Sequence, residues 1–215
     1  MSTRERRDRS NESDRFLSKL FHDAVHTHCD ADTGKEISLA AVGGYGRGEL
    51  SPGSDLDILI LHNGKIGQEK LKAIVNDLLY PLWDKNSVDH SVRTRSETRE
   101  AAASDLRVAT GLLDIRLIAG NADLVAAVQG DSLEYWRKNT KQNLPELERS
   151  LSERHVRAGE LAYLLEPDLK EARGGLRDIQ ALRAISLSGA VQVPLEKISW
   201  AESCADRVLL QLQKM

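Results

Sequence analysis

The chain has 215 residues, 40% hydrophobic and 29% charged, which bounds it to one large or two small globular domains. A net charge of −3 and an aromatic content of 4% argue against nucleic acid as a partner, because neither a basic face nor a base-stacking surface is supplied. Cys29 and Cys204 lie far apart, with neither a disulfide framework nor a zinc spacing, which suits a reducing cytoplasm; no apolar run reaches the ~18 residues that span a bilayer, so no membrane role is expected.

The segment 1–11 is charged in both signs and lacks an apolar stretch, so it reads as a disordered arm rather than a signal peptide. Phe16, Leu17, Leu20, Phe21, Ala24 and Val25 recur at helical spacing and predict a helix over 13–29. A short apolar run over 37–42 reads as a strand ending at Gly43-Gly44, and 56–61 reads as a second strand closed by Asn63-Gly64. The two are expected to pair across a tight loop. Leu71, Ile74, Val75, Leu78, Leu79 and Leu82 define an amphipathic helix with Pro81 near its end. Alternation over 88–94 predicts a third strand, and Thr94-Arg95-Ser96-Glu97 has the form of a capping box that opens a helix. Ser104 is placed to cap one more helix, with Leu106, Ala109, Leu113, Arg116 and Leu117 along one side and Gly120-Asn121 at its end. From Ala122 onward only helical periods appear. Ser199 and Glu202 form another capping-box pattern, and the chain stops at Met215 inside an apolar period (Val208, Leu209, Leu212), as in a chain cut short. The domains expected are a disordered arm over 1–12, an α+β domain over 13–120 and a truncated helical domain over 121–215.

The chemistry concentrates in Gly43-Gly44-Tyr45-Gly46-Arg47-Gly48 and the downstream Gly53-Ser54-Asp55-Leu56-Asp57. Alternate residues of a strand share a face, so Asp55 and Asp57 project together while Leu56 and Ile58 project oppositely. Adjacent carboxylates repel unless a cation neutralises them, and Mg²⁺ favours one or two carboxylates plus phosphate oxygens. The amides of Gly43 and Gly44 and the Ser54 hydroxyl suit phosphate. No Lys-Ser or Lys-Thr follows the glycines, so the loop is not a Walker A motif. Glu49 stands where the third glycine of a dinucleotide fingerprint belongs, and Leu59 and Ile60 occupy positions an EF-hand reserves for Asp/Asn and Gly. An ordinary β-turn with two solvated aspartates explains the glycines alone but not Gly-Ser set directly before an Asp-x-Asp pair.

That arrangement resembles the nucleotidyltransferase superfamily, whose fold is polymerase-β-like: a small mixed sheet with flanking helices, here followed by a helical domain. Three stretches together resemble the amino-terminal part of the bacterial [protein-PII] uridylyltransferase/uridylyl-removing family. They are Ala41–Leu50 through Asp55-Leu56-Asp57; Leu82-Trp83-Asp84 with Asp89–Thr94; and Glu166–Glu171 with Gly174–Gln180. The resemblance implies transfer of UMP, or AMP, from UTP or ATP to a tyrosine of a PII signal protein, with two Mg²⁺ ions held by three carboxylates. It implies Asp89 as the third acid beside Asp55 and Asp57, with Asp84 or Asp105 as alternatives. Arg47 and Arg93 are candidates for triphosphate charge, since a guanidinium fork suits phosphate; each also suits a structural ion pair, with Glu49 placed to hold Arg47. Tyr45 could pack under the loop. Gly174-Gly175 suits a structural or nucleotide-lid role, and the isolated His22 and His90 suit surface and packing roles. The family's metal-dependent hydrolytic domain and glutamine-sensing domains are not in the sequence, so uridylyl removal is not expected. Transfer to another acceptor, or nucleotide binding without catalysis, are the competing readings.

Overall fold

The computed structural model describes residues 3–30, 33–51, 53–82, 88–159, 168 and 170–191. Trp83, Asp84, Glu166, Pro167, Leu169, Ser199, Glu202, Cys204 and the apolar period near the chain end lie outside the described residues. The chain forms two compact units that divide inside one helix, after Ser132, past the boundary expected at 120/121.

The first unit, 4–132, holds the sheet. In chain order its elements are α1 (Thr3–His28), β1 (Ile37–Ala41), a one-turn helix α2 (Gly43–Gly46), β2 (Leu56–His62), α3 (Gln68–Leu79), β3 (Val88–Thr94), α4 (Arg95–Ser104), α5 (Leu106–Leu112), β4 (Arg116–Gly120) and the start of α6 (Ala122–Lys138). The four strands run in the order β3-β2-β1-β4, with β1 antiparallel to β2 and β4, and β2 parallel to β3. This is the α+β architecture, a small mixed sheet with flanking helices, that the sequence implied. One sheet face buries Ile37, Leu39, Ala41, Leu56, Ile58 and Ile60 with Leu17 and Phe21 of α1 and Ile74 and Leu78 of α3. Ser38, Ala40, Leu59 and Leu61 on the opposite face are also buried, as expected of central strands covered on both sides. The capping box of α4 forms as read: Glu97 N–H donates to Thr94 Oγ1 at 3.3 Å and Thr94 N–H donates to Glu97 Oε2 at 2.7 Å.

Two local expectations are corrected. The segment expected to be a disordered arm is helical from Thr3, with Arg6 and Ser10 buried. Its anchor is polar: Ser10 Oγ donates to the Arg6 carbonyl at 3.0 Å and accepts the Leu50 N–H at 3.2 Å, which ties α1 to the chain just after the glycine turn. The helix expected to run to Gly120 instead stops at Leu112, and Arg116–Gly120 pairs with β1 as an edge strand. Asp105 rather than Ser104 caps α5, accepting the Arg107 N–H at 2.7 Å. The apolar spacing across 106–117 mimics a helix, but β-pairing satisfies more backbone groups once β1 lies alongside. Gly120 has φ +91°, and a Cβ there would sit 2.4 Å from the Ile37 carbonyl, so glycine marks the close approach of the two strands.

The second unit, from Leu133, holds the end of α6, α7 (Thr140–Ala158) and α8 (Leu176–Ser188). Trp136, nearly inaccessible, donates from Nε1 to the Ala184 carbonyl at 2.8 Å. Asp178 in the first turn of α8 accepts from Gly174 N–H at 2.7 Å, from His155 Nε2 at 2.8 Å and from Arg154, whose Nη1 also reaches the Glu171 carbonyl at 2.6 Å.

A Cβ at Gly46 would fall 2.0 Å from the Asp114 carbonyl oxygen, so the backbone must move to admit one. Gly46→Ala should lower unfolding stability by ~2–4 kcal/mol in denaturant titration, whereas Gly67→Ala, with open space around it, should change it by less than ~1 kcal/mol. Burial alone would raise the Asp178 pKa, but the Gly174 N–H, His155 and Arg154 bring it below the ordinary value. The folded-state pKa is therefore the depressed one, so this contribution is fully present above the unfolded carboxylate pKa of about 3.9 and is lost as pH falls through the folded value. Melting temperature measured between pH 6 and about 2 should fall less steeply for Asp178→Asn than for the natural chain.

Candidate active site

Strand β2 delivers the carboxylates. Leu56, Ile58 and Ile60 enter the core, which puts Asp57 on the other face, half-buried, with the exposed Asp55 just ahead of the strand. In the parallel pairing of β2 with β3, Asp57 stands directly opposite Asp89. Partners in such a pair lie on one face, about 4.8 Å apart. The structure thus brings Asp57 and Asp89 together on one sheet face, with Asp55 exposed one residue before β2 begins. The alternative acid Asp105 is occupied as the cap of α5.

The glycine turn is pinned against Asp57. Val42 N–H donates to the Asp57 carbonyl at 3.0 Å, extending the β1–β2 ladder by one step. A Cβ on Gly43 would be 3.3 Å from Asp57 Oδ2, and Gly43 has φ +57°, so this position wants glycine for both space and conformation. The turn's own bonds use the amides of Gly46 and Arg47, donating to the Val42 and Gly43 carbonyls at 3.0 and 3.2 Å. The amides of Gly43 and Gly44 belong to the first turn, where a helix has no partner of its own to give them. Ser54 is exposed, one residue before Asp55.

Arg47 is used elsewhere. Its side chain is 7% exposed, with Nε 2.9 Å from Glu49 and Nη1 2.7 Å from Asp114. Burial by itself would lower its pKa, but Asp114 and Glu49 hold it raised, so the guanidinium is charged and its charge is spent on two carboxylates behind the turn. Arg93 shares the Asp89 face of β3 but lies four residues further on, about 13 Å along the strand. His90 is exposed on the other face, and His22 is an exposed residue of α1 whose Nδ1 lies 2.6 Å from the Ser18 carbonyl.

Tyr45 is a scaffold residue, 1% exposed. Its hydroxyl donates to Asp14 Oδ1 at 2.7 Å; burial, then the Asp14 carboxylate, pushes its pKa far above the usual tyrosine range. The Arg116 guanidinium lies 5.5 Å from the ring centroid. Asp14, Asp114 and Arg116 are missed by motif reading. The local pattern gives no signal for them: Asp114 lies in the turn before β4, and the partners of all three are distant in sequence.

Among the described residues no three acidic, histidine or cysteine side chains converge into a ready-made metal cage. The donor set still fits Mg²⁺: hard carboxylate oxygens, two of them on directly paired residues, in the number this ion takes when phosphate and water complete its shell.

A family model for nucleotidyltransferase domains matches residues 29–97, which contain β1, the glycine turn, β2 and β3. The GlnD PII-uridylyltransferase model matches residues 142–196. The chain is 49% identical over 190 residues to a bifunctional uridylyltransferase/uridylyl-removing enzyme of Streptomyces coelicolor, covering 88% of this chain and 22% of that protein. Enzymes of the same description from Mycobacterium tuberculosis and Vibrio campbellii are each 45% identical, over 71% and 68% of this chain and 19% and 17% of theirs. A crystal structure of a toxin–antitoxin with AMP-PNP aligns over 62% of this chain with a TM-score of 0.41 and 11% identity, too slight a likeness to carry weight. The chain spans about a fifth of the length of the curated relatives it matches. With both matched segments in order along it, the chain carries a nucleotidyltransferase domain followed by a segment of the GlnD PII-uridylyltransferase family.

Proposed function

We propose that this chain transfers a nucleotidyl group, UMP or AMP, from UTP or ATP to a tyrosine of a PII signal protein, releasing pyrophosphate. The observation that supports this reading most is the direct pairing of Asp57 with Asp89 beside a glycine turn whose leading amides are unclaimed by the turn itself. The cytoplasm is the proposed setting, consistent with the absence, among the described residues, of any helix long and apolar enough to cross a membrane.

In this mechanism Asp55, Asp57 and Asp89 hold Mg²⁺, which when bound neutralises triphosphate charge and lowers the pKa of the attacking hydroxyl. The amides of Gly43 and Gly44 and the hydroxyl of Ser54 hold the β- and γ-phosphates, so the scissile bond is oriented before attack. Asp89, at the open edge of the sheet, receives the proton of the acceptor phenol. The phenolate oxygen bonds to the α-phosphorus, the bond to the bridging oxygen breaks in line, and pyrophosphate departs. Arg93 contributes positive potential from along the strand. Arg47 acts from behind the turn: paired with Glu49 and Asp114, it stiffens the backbone that presents Gly44, whose added Cβ would sit 3.6 Å from Arg47 Nη2. Uridylyl removal is not assigned to this segment.

Incubation of the purified chain with a PII protein and α-labelled UTP or ATP tests the reading. Label on the PII tyrosine, lost on chelation with EDTA and restored by Mg²⁺, is the expected result; absence of label with either nucleotide refutes the acceptor and the reaction together. Asp57→Asn should reduce transfer by ~10³-fold or more with the melting temperature nearly unchanged, since the residue is only half-buried and the substitution is close to isosteric.

A further inference from the structure

The glycine turn is four residues long, and so short a helix cannot hold its shape by its own bonds. Something outside it must set the angle at which its leading amides face outward. The structure places one guanidinium at that task. Arg116, the first residue of β4, donates from Nε to the Gly46 carbonyl at 3.1 Å and from Nη2 to the Tyr45 carbonyl at 3.2 Å. These carbonyls lie at the trailing end of α2, and the guanidinium adds a bond to each; the Tyr45 carbonyl also accepts the Gly48 N–H at 3.0 Å. The same guanidinium reaches Asp14 of α1 through Nη1 at 2.6 Å and Nη2 at 3.1 Å, and the Tyr45 hydroxyl closes the ring by donating to Asp14 at 2.7 Å. One planar fork therefore brackets the turn between the edge strand and the amino-terminal helix.

We infer that Arg116, oriented by Asp14, is a positioning residue that fixes the glycine turn for triphosphate binding. The inference rests on the functional reading above and extends it to residues that touch neither metal nor substrate. The Arg116 and Asp14 side chains are 34% and 22% exposed, so the pair is a half-buried contact at the turn rather than part of the sheet core. Geometry argues that charge alone does not suffice. A lysine ammonium carries the same charge but is a single point, unable to reach two carbonyls and a carboxylate with planar alignment. The turn in Arg116→Lys should be folded but loosely aimed.

The test uses the 215-residue chain with Mg²⁺ and a non-hydrolysable α,β-methylene analogue of UTP or ATP, titrated by calorimetry alongside thermal melts. Three variants are compared: Arg116→Lys, Asp14→Asn and His28→Ala. The last removes a different α1 tie, the 2.7 Å contact of His28 with Asp77, between side chains of comparable exposure (27% and 54%) and with no part in the bracket. Arg116→Lys and Asp14→Asn should each melt within a few degrees of the natural chain yet bind the analogue about 10-fold more weakly, while His28→Ala binds it normally. Unchanged affinity in the first two variants overturns the inference. So does an equal loss in all three, or failure of both bracket variants to fold, because either result reduces the pair to support of α1. Failure of the natural chain to bind the analogue overturns the functional reading and this inference with it, whereas normal binding that ignores the bracket overturns the inference alone.

Discussion

The register of β2 is the constraint on which the rest depends. With β1 antiparallel on one side and β3 parallel on the other, β2 sets Leu56, Ile58 and Ile60 into the core and Asp57 on the opposite face beside Asp89. A slip of one residue would exchange the two faces, sending Asp57 into the packed apolar layer beside Leu17, Phe21, Ile74 and Leu78. Leu59 and Leu61 are buried on the opposite face as well, so aliphatic burial alone does not choose between the registers; the carboxylate does, because a charge buried in that layer costs several kcal/mol. The same register brings Val42 N–H to the Asp57 carbonyl, and that bond fixes where the glycine turn begins. The register thus determines the distance between the carboxylates and the amides.

Around this register the polar scaffold is built from arginines rather than from a buried apolar clamp. Arg47 bridges Glu49 and Asp114 behind the turn, and Arg116 bridges the turn to Asp14. Arginine suits both places because its fork makes several directional bonds at once and its charge persists at any ordinary pH. The cost is that neither guanidinium is available to an incoming phosphate at full strength. Under the proposed function, positive potential at the front of the turn comes from backbone amides, with Arg93 further along β3, and the amides carry no desolvated charge that must be compensated when nothing is bound. Glycines serve there because a side chain at Gly43 would press on the Asp57 carboxylate, and one at Gly46 would collide with the Asp114 backbone.

What could be read from the residues follows the same division. The sheet strands β1, β2 and β3, helix α3 and the capping box of α4 announce themselves through apolar period and cap chemistry, and all occur within a few residues of where those signals fall. Asp57 and Asp89 are legible as neighbours because each falls near the start of a predicted strand, and the parallel pairing sets them opposite; Asp55, read as sharing that face, lies exposed one residue before β2 begins. The start of α1 and the strand β4 were not legible, for one reason: both are held by partners distant in sequence. Ser10 bonds to Leu50, and Arg116 to Asp14, Tyr45 and Gly46, so no local period records them. Arg47 was ambiguous for the converse reason, since a charge beside a glycine turn serves phosphate or scaffold equally well until Asp114 is seen against it.

The same accounting decides the role of the second glycine pair. Gly174 and Gly175 precede α8, where unpartnered amides and the helix dipole would favour an anion. Here the anion is the chain's own: Gly174 N–H donates to Asp178, and Gly175 N–H donates to the Ala172 carbonyl at 2.8 Å. A phosphate arriving at this helix start would have to displace a carboxylate that also holds Arg154 and His155. Removing one partner of such a cluster leaves buried charge uncompensated, since the Arg154 side chain is only 7% exposed. Of the structural and nucleotide-lid roles the pair could serve, the first therefore follows from the bonds present: Gly174, at φ +89°, turns the chain so that Asp178 can reach back and close the entry to α8.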